Sequence, residues 1–154
     1  MKCNQCQNPD TKVIESRDVA EGQSTRRRRE CVQCKARFTT YERLERPQLI
    51  VIKRDGVRQL YDRDKLMAGL HRACGKTPVT SLQLESLVSN IENKLYSRGE
   101  AEIESAEIGD LILNGLAELS EVAYVRFASV YQRFKDVNEF EKVLEKLRSK
   151  NKNS

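Results

Sequence analysis

The sequence has no tryptophan, one histidine and only 6% aromatic residues in 154 positions, so any cores it builds must be modest. No stretch approaches the roughly 18 consecutive apolar residues of a membrane-spanning helix. The N-terminus, Met1-Lys2-Cys3-Asn4-Gln5, is polar and lacks the apolar centre of a secretory signal, so a cytoplasmic location is expected. His71 has no companion that suggests catalysis and reads as a helix-surface residue. No Ser/His/Asp arrangement, catalytic cysteine set or metal-binding carboxylate cluster stands out, and an enzyme is not expected. Internal repeats and low-complexity segments are missing too.

What the chain does have is charge, at 33% of residues, and the charge is uneven. Up to Arg46 there are 11 Lys/Arg against 7 Asp/Glu, and from Pro47 onward 17 against 16. The excess positive charge therefore sits in the first third, which suggests a basic N-terminal module facing a polyanion. That third also holds four of the five cysteines and almost no run able to fill a core. Thr11–Asp18, Ser24–Cys31 and Arg37–Leu44 are candidate strands, with a turn at Glu21-Gly22-Gln23.

Pro47 marks a boundary, giving modules over 1–46 and 49–139, then a C-terminal helix and frayed tail over 140–154. In the second module, Leu49–Lys53 and Val57–Tyr61 flank Asp55-Gly56, a strong hairpin signal. Asp62 caps a helix that ends at Gly75. Thr80-Ser81-Leu82-Gln83 fits a capping box, opening a helix with the stripe Leu84, Leu87, Val88, Ile91 and Leu95 that stops at Gly99. Ser105 is expected to cap a third helix, and a fourth runs from Ser120 to about Lys135. Phe140, Val143, Leu144 and Leu147 share a face of the last helix. The fold class is α+β: a small β-rich metal module, then a β-hairpin with four helices and a C-terminal helix.

Cys3-x-x-Cys6 and Cys31-x-x-Cys34 are separated by 24 residues, a little longer than the common spacing of roughly 15–20 in four-cysteine zinc sites. Two tight turns presenting two thiolates each complete a tetrahedron. So small and apolar-poor a module needs a metal to fold. A redox pair would require a βαβ unit, which is missing, and disulfides do not suit the cytoplasm. One structural Zn2+ per chain is predicted. Cys74 lies on the apolar side of a helix and reads as core.

Arg26, Arg27, Arg28 and Arg29 stand in the strand before the second cysteine pair. Alternation puts Arg26 and Arg28 on one face, Arg27 and Arg29 on the other. Lys12, Arg17, Lys35 and Arg37 on adjoining segments widen the patch. Guanidinium groups on a rigid ribbon suit phosphates and guanine edges, against the alternative of a solvated charge run. Lys53-Arg54-Asp55-Gly56 and Lys65 near the start of a helix make a triphosphate site, although an ordinary basic hairpin explains them equally well. Gly75-Lys76-Thr77 imitates the end of a Walker A loop but follows a helix, and Gly69 is one residue too far back.

These motifs, together with Arg37-Phe38-Thr39-Thr40-Tyr41-Glu42, Asp64-Lys65-Leu66 and Val122–Tyr131, resemble the NrdR family of bacterial transcriptional repressors of ribonucleotide reductase genes. The resemblance covers about residues 1 to 148, and its second half looks like an ATP-cone. It implies a zinc ribbon that binds double-stranded operator DNA and a cone that binds ATP and dATP. It also implies a homo-oligomer whose size follows the nucleotide. Carried over by position, it places Val51, Lys53, Arg54, Lys65, Ser105, Tyr131 and Lys135 at the nucleotide. Tyr131 and Lys135 would both lie on the cone's last helix. Gln59 stands where related cones often have an acidic residue, and Gly109 is left out because it offers only backbone. The alternatives from other classes are the regulatory part of an enzyme and a zinc-ribbon adaptor in a transcription complex.

Overall fold

The computed structural model describes residues 1–19 and 22–151, and the chain divides into two compact units, Met1–Pro47 and Gln48–Ser154. Glu21 of the expected turn, and the last three residues of the expected tail, lie outside the described residues.

The first unit is an antiparallel sheet of β1 (Thr11–Val19), β2 (Ser24–Cys31) and β3 (Arg37–Arg43), with β2 in the centre. Gly22 reverses the chain between β1 and β2 at φ 83°, a conformation open to a residue without Cβ. A bulge between Val13 and Glu15 shifts the register of β1 against β2. Buried apolar positions are few among its described residues: Val19, Cys3 and Cys31.

The second unit begins with β4 (Ile50–Ile52) and β5 (Arg58–Leu60), whose tip bonds the Gly56 N–H to the Lys53 carbonyl at 2.8 Å, with Gly56 at φ 80°. Helix α1 (Arg63–Ala73) is capped by the Asp62 carboxylate on the Lys65 N–H. Helix α2 (Ser81–Tyr96) opens with both bonds of the Thr80/Gln83 capping box. A strand without a counterpart in the sequence reading, β6 (Glu102–Glu104), then pairs in parallel with β4, making a sheet of order β5-β4-β6. It runs directly into α3 (Ser105–Leu119). Ser105 is therefore the first helical residue and not the cap; Glu104 holds the cap position, still extended and without a side-chain bond.

Helix α4 (Glu121–Gln132) is capped by Ser120 and terminated by Arg133 in the left-handed conformation. It ends before Lys135, which falls in the connection to α5 (Val137–Asn151). Helices α1 to α4 pack in sequence with α1 also against α4, and α5 lies on α4. Leu70, Leu84, Val88, Leu95 and Leu116 form the centre, and Val143 and Leu147 of α5 join it. Burying each such side chain stabilises by about 1.5–3 kcal/mol. Cys74 is buried in this cluster and His71 is exposed.

Candidate functional site

The two Cys-x-x-Cys turns of the first unit are built alike. The Gln7 N–H bonds the Cys3 carbonyl at 3.1 Å and the Lys35 N–H the Cys31 carbonyl at 3.2 Å. Gln7 and Lys35 both sit at φ 61°. Each turn closes through the N–H of its first cysteine, on the Asn8 carbonyl (2.8 Å) and the Ala36 carbonyl (2.9 Å). Cys3 and Cys31 are buried, Cys6 and Cys34 exposed. Cys3 Sγ lies 3.6 Å from Cys34 Sγ, and Cys6 Sγ 3.6 Å from Cys31 Sγ. All four sulfurs fall within 4.8 Å of one another. A disulfide needs about 2.05 Å, whereas sulfurs about 2.3 Å from one zinc stand about 3.8 Å apart. The separations fit a tetrathiolate zinc.

The electrostatics fit as well. The Cys6 and Gln5 N–H groups draw the Cys3 thiol down to about 6. The Cys34 N–H acts first among the groups that lower Cys31. The Ala36 N–H favours the Cys34 thiolate, but the neighbouring thiols, led by Cys6, and burial push Cys34 up to about 12. Four thiolates at these distances cannot coexist without a cation.

On β2, Arg26 faces Arg17 and Tyr41, and Arg28 faces Glu15 and Thr39. Arg27 faces Ser16 and Thr40, and Arg29 faces Val13 and Phe38. Arg27 is ion-paired with Glu42 at 2.9 Å, and Arg29 Nε donates to Thr40 Oγ1 at 3.2 Å. Arg17 pairs with Glu15. Glu30, nearly buried, is clamped between Lys12 (3.2 Å) and Arg37 (2.9 Å), and these two cations hold its carboxyl below the usual range. Lys35 Nζ donates to the Val32 carbonyl. Among the described residues, Arg26 and Arg28 have no acidic partner. Sequence alternation separates the two faces of β2, yet which face carries free charge depends on where Glu42 of β3 falls.

In the second unit, a cavity of about 330 Å³ adjoins an outer chamber of about 860 Å³. The inner one is walled by Val51, Leu66, Ile108, Ile112 and Phe127, with Asp62 and Tyr61. Both share Lys53, Gln59, Lys65, Gly69, Ser105, Phe127 and Tyr131, and Arg54 lines the outer chamber. The cavity thus brings together six of the seven positions expected at a nucleotide. Lys135 is not among its lining. Arg72, Arg126 and Arg133, absent from the expected set, line the outer chamber. Arg126 also caps α1 by donating to the Gly75 carbonyl.

Tyr131 organises the boundary. Its hydroxyl donates between the Ala106 (3.0 Å) and Ser105 (3.3 Å) carbonyls, and its ring stacks with Phe127 at 5.9 Å. The Arg54 guanidinium lies 4.8 Å from the ring centroid. At the base of the cavity, Tyr61 donates to Glu92 (3.0 Å), while Arg63 bonds both Glu92 and Glu85, tying α1 to α2.

Comparison with known proteins matches both units. A family described as "Transcriptional repressor NrdR-like, N-terminal domain" covers residues 1–42, and one described as "ATP cone domain" covers 49–137. A protein of Petrotoga mobilis named "Transcriptional repressor NrdR" is 52% identical over 149 residues, 97% of this chain and 99% of its own. A protein of Geobacillus kaustophilus with the same name is 49% identical over 147 residues, 96% of each chain.

Proposed function

The chain belongs to the NrdR family, and on that premise we propose that it is a nucleotide-responsive transcriptional repressor. Its relatives are named as repressors, a regulatory and not a catalytic role. The supporting observation is the pairing, in one chain, of a four-thiol cluster beneath an arginine strand with a cationic cavity in a separate unit. Cys3, Cys6, Cys31 and Cys34 would hold one zinc, which supplies the closure of the ribbon and no reaction. The ribbon then presents Arg26 and Arg28, with Arg17 and Arg27 nearby, to the phosphates and base edges of operator DNA upstream of ribonucleotide reductase genes.

In the second unit, ATP or dATP would set its base against the apolar wall of Val51, Ile108 and Phe127. Its phosphates would lie among Lys53, Arg54, Lys65 and Arg72, near the first turn of α1. Occupancy favours one homo-oligomer over another, and the oligomer decides whether ribbons engage paired sites.

The test is affinity for reductase promoter DNA and for random DNA with no nucleotide, ATP, dATP and both, with mass followed by sedimentation. DNA affinity and mass should change together with the nucleotide. Equal affinity at unchanged mass in all four conditions refutes the switch.

A further inference from the structure

Gly109 lies in the first two turns of α3, where a helix gains nothing from glycine and loses about 1 kcal/mol relative to alanine. A Cβ built there would stand 2.0 Å from Tyr131 Cζ and 2.3 Å from its hydroxyl oxygen. The Tyr131 ring therefore occupies the space that any side chain at 109 would take. Only in that place does its hydroxyl reach the Ser105 and Ala106 carbonyls, with Arg54 over the ring. The seated ring lines both chambers.

We infer that Gly109 is a positioning residue for the nucleotide cavity: its missing side chain is the seat that holds Tyr131 as the wall between the two chambers. The inference rests on the nucleotide reading above and deepens it. A methyl group at 109 evicts the ring, which loses its carbonyl bonds and its contact with Arg54. The inner chamber then opens into the outer one, and a ligand that uses the wall is held less tightly. Because the obstructing atoms are the far end of one side chain, eviction is the relief open to the helix.

The experiment compares Gly109→Ala, Tyr131→Ala and the double variant in the full chain. Gly115→Ala serves as the control, since its Cβ would meet Leu87 Cδ1 at 2.1 Å and neither residue lines the cavity. ATP affinity is read by calorimetry, and the Tyr131 ring by fluorine resonance in 3-fluorotyrosine protein, assigned with Tyr131→Phe. Gly109→Ala should shift the Tyr131 resonance without nucleotide and weaken ATP binding roughly tenfold, the equivalent of about 1.4 kcal/mol. In the Tyr131→Ala background the same change should cost no further affinity. Gly115→Ala should lower the melting temperature and leave both readouts unchanged. An unmoved Tyr131 resonance, or an equal affinity loss in both backgrounds, overturns the inference. If Gly109→Ala does not fold, a folded double variant supports the seat and an unfolded one refutes it. A parent chain that binds no ATP removes the nucleotide reading, while the fluorine result still decides the seat.

Discussion

Replacing Arg26 and Arg28 together with alanine removes both cations from the face of the central strand on which, among the described residues, neither arginine has an acidic partner. If each neutralises one phosphate, the slope of log affinity against log salt becomes shallower by about 1.8. Between 50 and 200 mM salt, the parent should then lose about twelvefold more affinity than the variant. Replacing Arg27 and Arg29 is the matched control, with the same formal charge removed from the same strand. Arg27 already faces Glu42 at 2.9 Å, so its counterion is partly supplied by the protein and fewer ions are released on binding. Arg29 bonds only the Thr40 hydroxyl and counts in full, so the slope should fall by between about 0.9 and 1.8. Anisotropy titrations of operator DNA over that salt range, on protein with its zinc content verified, give both numbers. Equal slopes for the two variants, or a larger change from Arg27 and Arg29, would refute the assignment of free charge to the Arg26 face.

Cys31→Ser should abolish stoichiometric zinc by elemental analysis and DNA binding by mobility shift. Helical ellipticity should be kept, because the second core is assembled from residues 49–147. Lys65→Ala and Tyr131→Ala should each lower nucleotide affinity by calorimetry and flatten the response of DNA binding to nucleotide, without altering zinc content. A coupling of about 1–3 kcal/mol corresponds to a 5- to 150-fold nucleotide effect on DNA affinity, and sedimentation should show mass changing less in both variants. Arg63→Met leaves Glu85 and Glu92 without the guanidinium that joins them and should destabilise the second unit by about 3–5 kcal/mol in thermal unfolding.

Features written in neighbouring residues were the legible ones. Asp62, and Thr80 with Gln83, cap their helices through bonds spanning three residues, so a short window suffices to read them. The cysteine spacing worked for the same reason: each turn is local, and only the joining of two turns is not. Strand β6 escaped because Glu-Ile-Glu carries one apolar residue and its partner lies about fifty positions upstream. Missing it also misplaced Ser105, since a strand that continues into a helix leaves no room for a separate capping turn.

The sites divide along the same line. Alternation along β2 sorts four arginines into two faces, but whether a face is free depends on Glu42 of β3, which meets Arg27 only across the sheet. The cavity makes the point more sharply. Lys53, Arg54 and Lys65 sit near each other in sequence, whereas Phe127, Arg126 and Arg133 reach the same space only once α4 packs on α1 and α3. Gly109 is the extreme case. Its contribution is a void, and a void has meaning only after another residue, twenty-two positions later and on a different helix, is seen to fill it. Sequence reading asks what a side chain can offer, and therefore passes over a position whose function requires that it offer none.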